Sequence, residues 1–448
     1  MDINSSILRV DGTLSSSGAS FINSGFLQGT GQVNTEVNNS GTISPGNSIG
    51  TLNGQFSQVY SDLAFLTPSL SYTERQVLLT LKRNHISFDS YADSENQHSI
   101  AAALSGLTSG GLYNALLNLP DNRSLIQKTM DSLTGEAYAS LPSLLLEDNQ
   151  RLGQQLLGRL SPLSIVGDQA ERSHGLWLSV GDNYLKNQGD SNYASARLSG
   201  PEVLLGYEHA FGAGWLGGAF FRYADRDFKV EDRGAKADVE SLSLGLYGSK
   251  GLDVGSGNLR LSFGGNYTWH KVDMSREVSF LNFSETNNSD YHPSSAQVFG
   301  EMAYYLRMTE KVRMEPYFNL SWNYVSSNSF AENSSASALN ANLDSNSNVS
   351  SVVGGRLTYA PNAWLNLRAN LGWQHTFGDL DMRGTFGLQA GGSDFIITGT
   401  PLSRDAALLG LGLEFSISPQ WSLGLQYNGA WGTDSIGHAG MARLTFSW

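Results

Sequence analysis

The chain has 448 residues, a net charge of −13, 50 glycines, 15 % charged residues and no cysteine. Without cysteine there is no disulfide framework, no cysteine zinc site and no thiol nucleophile, and the negative balance disfavours a nucleic-acid partner, which needs basic patches. Aromatic residues make up 10 %, too many for a disordered chain, and no run of about 18 apolar residues exists to form a helical membrane span.

The start, Met1-Asp2-Ile3-Asn4-Ser5-Ser6, lacks the basic and apolar stretches of a secretory signal. The chain is therefore expected to be a mature or truncated piece, or else cytoplasmic. All nine tryptophans lie from Trp177 onward, and 13 of 18 tyrosines lie from Tyr184 onward. That step divides the chain into regions of about 1–60, 61–170 and 171–448.

Residues 1–56 are rich in Asn, Ser, Gly and Thr, with single apolar residues between them, as in Phe21-Ile22-Asn23-Ser24-Gly25-Phe26-Leu27. This pattern predicts short strands joined by tight turns in which Gly and Asn take positive φ. One such rung buries nothing alone, so rungs must stack as the end of a β-solenoid. Gly46-Asn47-Ser48-Ile49-Gly50 matches the G-x-S-x-G nucleophile elbow. That chemistry needs a strand–turn–helix and a His partner. The flanks read as strand and turn, and the nearest histidine is His85, so Ser48 is read as part of a turn. Gly189-Asp190-Ser191-Asn192 is a weaker match to another esterase motif and is read the same way.

The middle region turns helical. Ser94 caps a helix that ends at Gly106. A second carries Leu125, Ile126, Met130 and Leu133 and stops at Gly135. A third is expected over about 141–160, with Pro142 in its first turn and Pro162 just beyond. Leu144, Leu145, Leu152, Leu156 and Leu160 form one face; Asn149, Gln150, Arg151, Gln154 and Gln155 form the other. About 20 residues span ~30 Å, the hydrocarbon thickness of a bilayer.

From residue 171 the period is two. Leu409, Leu411, Leu413, Phe415 and Ile417 alternate with Gly410, Gly412, Glu414, Ser416 and Ser418, and the same holds over 259–270, 365–374 and 443–448. The runs reach about ten residues or more, the length a tilted strand needs to cross a bilayer. Arg260, Arg368 and Glu414 fall mid-strand on the polar face, natural in a wet lumen. Backbone groups in lipid must all be paired, so the sheet must close. About twelve strands are expected, starting near Gly175, Ala194, Trp215, Ala237, Asn258, Ser295, Val312, Val349, Ala363, Arg404, Trp421 and Ile436. Long or polar connections (183–193, 226–236, 273–293, 326–348, 377–403, 430–435) alternate with short turns. Short turns belong on the periplasmic side, so the segment before Gly175 must reach that side. The 141–160 helix, running through the lumen, has the length for it.

With these features the chain resembles the C-terminal part of a type V autotransporter, in the outer-membrane autotransporter barrel family. Ser40-Gly41-Thr42-Ile43-Ser44-Pro45-Gly46-Asn47-Ser48-Ile49-Gly50-Thr51-Leu52 is similar to the family's P-G-x-S-x-G-x-L passenger end. Leu79-Thr80-Leu81-Lys82-Arg83-Asn84, Asn96-Gln97 and Leu133-Thr134-Gly135-Glu136-Ala137-Tyr138-Ala139-Ser140 are similar to its linker stretches, and the chain ends in aromatic Phe446-Ser447-Trp448. The resemblance implies an all-β fold: an antiparallel transmembrane β-barrel of about 12 strands with a lumen α-helix, preceded by a β-solenoid end and a helical linker. It implies a translocator in the outer membrane of a Gram-negative cell, with the N-terminal region at the cell surface and no catalytic residue, cofactor or metal. It further implies a monomeric barrel, with outer-membrane lipid, periplasmic chaperones and a barrel-assembly machinery that engages the Phe446–Trp448 terminus as partners. The absence of a signal peptide and of most of a passenger points to a truncated chain. Asn149-Gln150 is not the Asn pair at which some members cut themselves, so self-cleavage is not expected. Two other functions compete: a surface adhesin or hydrolase for which the barrel is only an anchor, and a diffusion porin.

Overall fold

The computed structural model describes residues 2–3, 6–16, 20–45, 58–73, 76–161 and 174–448. Ser48 and its G-x-S-x-G motif lie outside the described residues. The chain divides into two units, Met1–Ile86 with Leu117–Asp121, and Ser87–Leu116 with Asn122–Trp448.

In the first unit, strands of two to four residues stack in parallel ladders. Asp2–Ile3, Phe21–Asn23 and Val37–Asn39 form one; Ile7–Arg9, Phe26–Gly29 and Thr42–Pro45 a second; Thr13–Ser15 and Gln32–Asn34 a third. Phe21 and Leu27 are buried, packed by Leu8, Val10, Leu14, Val33, Val37 and Ile43. Asn23, also buried, donates to Asn39 Oδ1 at 2.5 Å and to the Thr42 carbonyl at 3.1 Å, tying rung to rung. A Cβ on Gly41 would stand 2.1 Å from the Gly25 carbonyl oxygen, so the turn admits only glycine. Leu66–Tyr72 and Val77–Arg83 form an antiparallel hairpin.

The second unit contains a closed barrel of twelve strands: β1 His174–Asn187, β2 Ala196–Gly212, β3 Trp215–Val230, β4 Ala235–Val254, β5 Gly257–Phe280, β6 Ser294–Arg307, β7 Val312–Val325, β8 Asn346–Asn362, β9 Leu365–Phe377, β10 Asp405–Ser416, β11 Trp421–Gly432 and β12 Ser435–Ser447. Each pairs antiparallel with the next, and β12 closes on β1 from Gly175↔Ser447 to Asn187↔Ser435. Every expected start lies within three residues of the observed one.

The apolar face points outward. Leu371 is 65 % exposed, Leu411 49 % and Leu413 39 %, whereas Glu414 in the same strand is buried inside. Eight of the nine tryptophans are exposed on the outer surface; Trp177 alone turns inward. Exposed apolar side chains over a closed sheet are the inverse of a soluble fold and suit a lipid surround.

Three expectations need correction. Residues 226–236 and 273–293 are not loops. Strands β3 and β4 continue to a tight turn after Val230, and β5 continues to Phe280 and pairs with Phe283–Tyr291. The long connections 326–348 and 377–403 are partly ordered: Asn328–Ala331, Leu339–Leu343, Arg383–Leu388 and Phe395–Thr398 form a four-stranded sheet. The third helix starts early. The helices are α1 Glu95–Ser105, α2 Gly111–Leu117, α3 Arg123–Leu133 and α4 Glu136–Leu160. Pro142 thus lies inside α4, where its missing N–H leaves the Tyr138 carbonyl without its helical donor. Twenty-five residues at 1.5 Å each make α4 about 37 Å long, enough to run through the barrel.

Candidate functional site: the lumen and its helix

Sequence places Asp148 and Arg159 on α4 eleven positions apart, ~16 Å along the axis, and each plugs into a socket on the wall. At mid-helix, Asp148 Oδ2 accepts from Arg222 Nη2 at 2.6 Å, and its Oδ1 accepts from Asn183 Nδ2 at 2.8 Å and Arg226 Nη2 at 3.2 Å. Glu202 joins the two arginines from β2 at 2.7 Å each. Two guanidiniums thus meet two carboxylates, one of which the helix brings. Near the short-turn end, Arg159 forms a two-pronged pair with Glu208 at 2.7 and 2.9 Å and lies 4.7 Å over the Trp177 ring. Tyr247 OH donates to Glu208 at 3.0 Å and accepts from Trp177 Nε1 at 2.8 Å. Bidentate, buried pairs of this kind fix orientation as well as position.

Between and below the sockets the seat is apolar. Leu152, Leu156, Leu157 and Leu160 pack against Trp177, Leu204, Leu216, Phe220, Tyr247 and Phe299. A Cβ on Gly153 would come within 2.5 Å of Gln297 Oε1, so any larger residue there would have to displace the Gln297 amide.

The residues expected on the polar face of the helix are distributed as follows. Gln150 donates to Asn348 at 3.2 Å and accepts from Gln374 at 3.2 Å; Gln154 donates to Gln374 at 2.8 Å. Arg151 donates to Asn183 at 2.9 Å and Gln155 to Glu202 at 3.2 Å. Asn149 is buried, and neither amide atom has a hydrogen-bond partner among the described residues. Phe446 packs at a tilt against Trp421, ring centroids 4.7 Å apart, and the Trp448 main chain bonds His174 at 3.2 and 3.0 Å, so the C-terminus sits on the closing seam. Asp190 Oδ1 accepts from the Asn192 and Tyr193 N–H groups, so the esterase-like segment is an Asx turn. Sequence reading passed over Asp148, Arg159 and their wall partners. Their one visible signal was charge beside leucines on a helix whose polar face carries mostly amides.

The long-loop end holds the first turns of α4. Tyr138 OH donates to Glu332 at 2.8 Å and lies 3.0 Å from Ser289 Oγ, its ring 4.9 Å from Phe330. Arg276 clamps the same Glu332 at 2.6 and 2.9 Å and donates to the Ser132 carbonyl of α3 at 2.9 Å. Asn96 of α1 trades hydrogen bonds with Thr398 at 2.8 and 2.9 Å. A Cβ on Gly399 would meet Ala139 at 2.3 Å, leaving no gap there. Beyond the bilayer, partial burial acts to raise the Glu285 carboxyl, but hydrogen bonds from Ser337 Oγ, the Ser337 N–H and the Ala336 N–H outweigh it and hold the group below the usual carboxylate range.

Residues 176–428 match the family model described as autotransporter beta-domain. Two proteins of Serratia marcescens, each named extracellular serine protease, are 27 % and 25 % identical over 451 and 445 residues; both alignments cover 88 % of this chain and 42 % of the relative. The chain thus spans less than half the length of these relatives. The translocator domain of the autotransporter NalP from Neisseria meningitidis superposes with a TM-score of 0.52 at 15 % identity, covering 68 % of this chain and 99 % of that one, a likeness of fold. The matched segment takes in more than half of the chain, from β1 into β11, and the chain belongs to the autotransporter beta-domain family.

Proposed function

We propose that this chain is the translocator end of an outer-membrane autotransporter, which carries its own N-terminal passenger to the cell surface and afterwards anchors it. The observation that carries the reading is α4: a helix seated along the lumen by Asp148 and Arg159 is the tail of a chain that has passed through the barrel. Residues 1–60 are the passenger's solenoid end, 61–170 the linker that ends in the lumen, and 171–448 the barrel. The step uses no catalytic group; folding of the exported part outside and insertion of the barrel supply the free energy. Outer-membrane lipid surrounds the barrel, and a barrel-assembly machinery with periplasmic chaperones brings it there, reading Phe446 and Trp448. The protease activity that names the Serratia proteins would reside upstream, in a passenger longer than the stretch seen here.

Protease added to intact cells tests this. Residues 1–56 should be cut from outside while the short turns, such as 308–311, are cut only after the outer membrane is opened. Protection of residues 1–56 with cleavage from the periplasm would reverse the orientation and sink the proposal.

A further inference from the structure

Strands β3, β4 and β5 reverse their chemistry partway along. Within the bilayer Tyr223, Leu242, Tyr267 and Trp269 face outward, and Arg222, Ser243, Asn266 and Thr268 are buried on the lumen side. Toward the long-loop end the alternation continues with the residue types exchanged. Asp227, Lys229, Lys236, Asp238, Lys271 and Asp273 are outside and exposed, while Phe228, Val230, Val239, Val272, Met274 and Val278 are inside and buried. An apolar inner face beneath a charged outer one is the pattern of a sheet in water, so the three strands rise out of the lipid as a wall. On β5 the rise takes about ten residues, ~33 Å along the strand.

The chain's own linker lies against that wall. Helix α3, which buries Ile126, Met130 and Leu133, packs on β5, and α1 packs on α3. Polar ties fix the placement. Arg233, in the β3–β4 turn, lies 3.4 Å from Asp131 of α3 and 3.1 Å from Glu136 of α4, and Gln97 of α1 donates to Asp131 at 2.9 Å. The lumen below is one helix wide. From α4, Gln155 reaches Glu202 of β2 and Gln150 reaches Asn348 of β8, strands that stand opposite each other in the ring of twelve. Two packed helices measure ~20 Å across, more than such a lumen admits.

We propose that the wall made by the outer ends of β3–β5 is a landing surface for the linker, on which α1 and α3 fold once outside and so block the chain from sliding back. The inference rests on the translocator reading and adds the place where export becomes irreversible. An unfolded linker threads a lumen one helix wide; a docked pair of helices does not. The wall also supplies what the two helices lack alone. Each has 11 residues, a length at which an isolated helix is marginal in water.

The test is a pulse–chase in cells that display the full chain. Cleavage of residues 1–56 by added protease measures export, and the heat-shifted gel band measures the barrel. Ile126→Asp with Met130→Asp puts two carboxylates on the buried face of α3 and leaves the sockets of α4 untouched. The barrel band should form at the normal rate, while surface cleavage should lag about tenfold, equivalent to ~1.4 kcal/mol of lost docking. Val278→Asp, on the wall side, should give the same lag. Met130→Leu keeps the apolar face and should give none. Export of the double variant at the wild-type rate, or a lag matched by an equal delay in the barrel band, would overturn the proposal. A wild-type chain that never exposes residues 1–56 would sink the translocator reading, and the landing surface with it.

Discussion

The solenoid and the barrel are both stacks of short-period strands, yet they point their apolar side chains in opposite directions. In the solenoid, Phe21 and Leu27 face inward, and the outer surface is rich in Asn, Ser and Thr, with Ile7, Ile22 and Phe26 also exposed. In the barrel, Leu371 and Leu411 face outward, and Arg222, Arg226, Glu202 and Glu414 are inside. Alternation alone cannot say which face is which. What decides is the length of the run and the company of the charges: strands of 12 to 24 residues with buried ion pairs make sense only if the outer solvent is hydrocarbon. Pairing follows suit. The solenoid uses parallel ladders tied by Asn23, and the barrel antiparallel ones closed on themselves, which removes the edges that lipid would not tolerate.

That opposition can be broken from either side. Phe21→Ala should cost the solenoid about 3–5 kcal/mol by opening its core; circular dichroism and protease sensitivity of residues 1–56 should show it, while the barrel's heat-shifted gel band stays in place. A change at both leaves the two regions folding as one. Arg159→Leu should cost a similar ~3–5 kcal/mol, because it strands Glu208 without a cation in a low-dielectric seat. Planar-bilayer conductance should rise as the helix loosens; an unchanged trace would mean that the leucine collar alone holds α4. Leu411→Arg puts a charge in the lipid near mid-membrane, at about 2–4 kcal/mol, and should deplete the folded barrel from the outer-membrane fraction. Gly412→Ser next to it, facing the lumen, should be mild, and equal loss from both would undo the facing assignment. The smallest effect is expected at Glu285. Its carboxyl is held below the usual range, so the contribution is present above the ordinary Glu pKa and is lost as pH falls through the folded value. Glu285→Gln should remove that acid sensitivity from the mobility or hydrogen exchange of the 335–337 segment, a change below about 1 kcal/mol at this partly exposed site.

Much of this was legible from residue order, and the failures have physical causes. Strands β9 and β10 were plain because lipid on one side and water on the other enforce strict alternation at Leu367 to Trp373 and Leu409 to Phe415. The same strands' neighbours lose that signal outside the bilayer. Asp225, Asp227 and Lys229 of β3 are exposed, and Asp238 and Glu240 of β4 likewise, so 226–236 read as a polar loop. Pro142 hid the start of α4 because a proline in a helix is favoured in its first turn; here the preceding turn is held by Tyr138, bonded to Glu332, and by Glu136, which accepts from the Ala194 N–H and Arg233 Nε. The apolar collar was missed because Trp177 lies in the lumen phase of β1, and a lumen was expected to be wet. Asp148 and Arg159 needed charged partners 49 to 78 residues away in sequence, which no local pattern supplies.

The closed mouth at Tyr138, Glu332 and Gly399 sets a stoichiometry. With Ala139 pressed against Gly399, and Tyr138 and Arg276 both held on Glu332, the chain's own helix occupies the long-loop end of the lumen. Each molecule would therefore serve a single export event. The number of passengers displayed would equal the number of barrels made, and supply would be set by synthesis instead of by turnover.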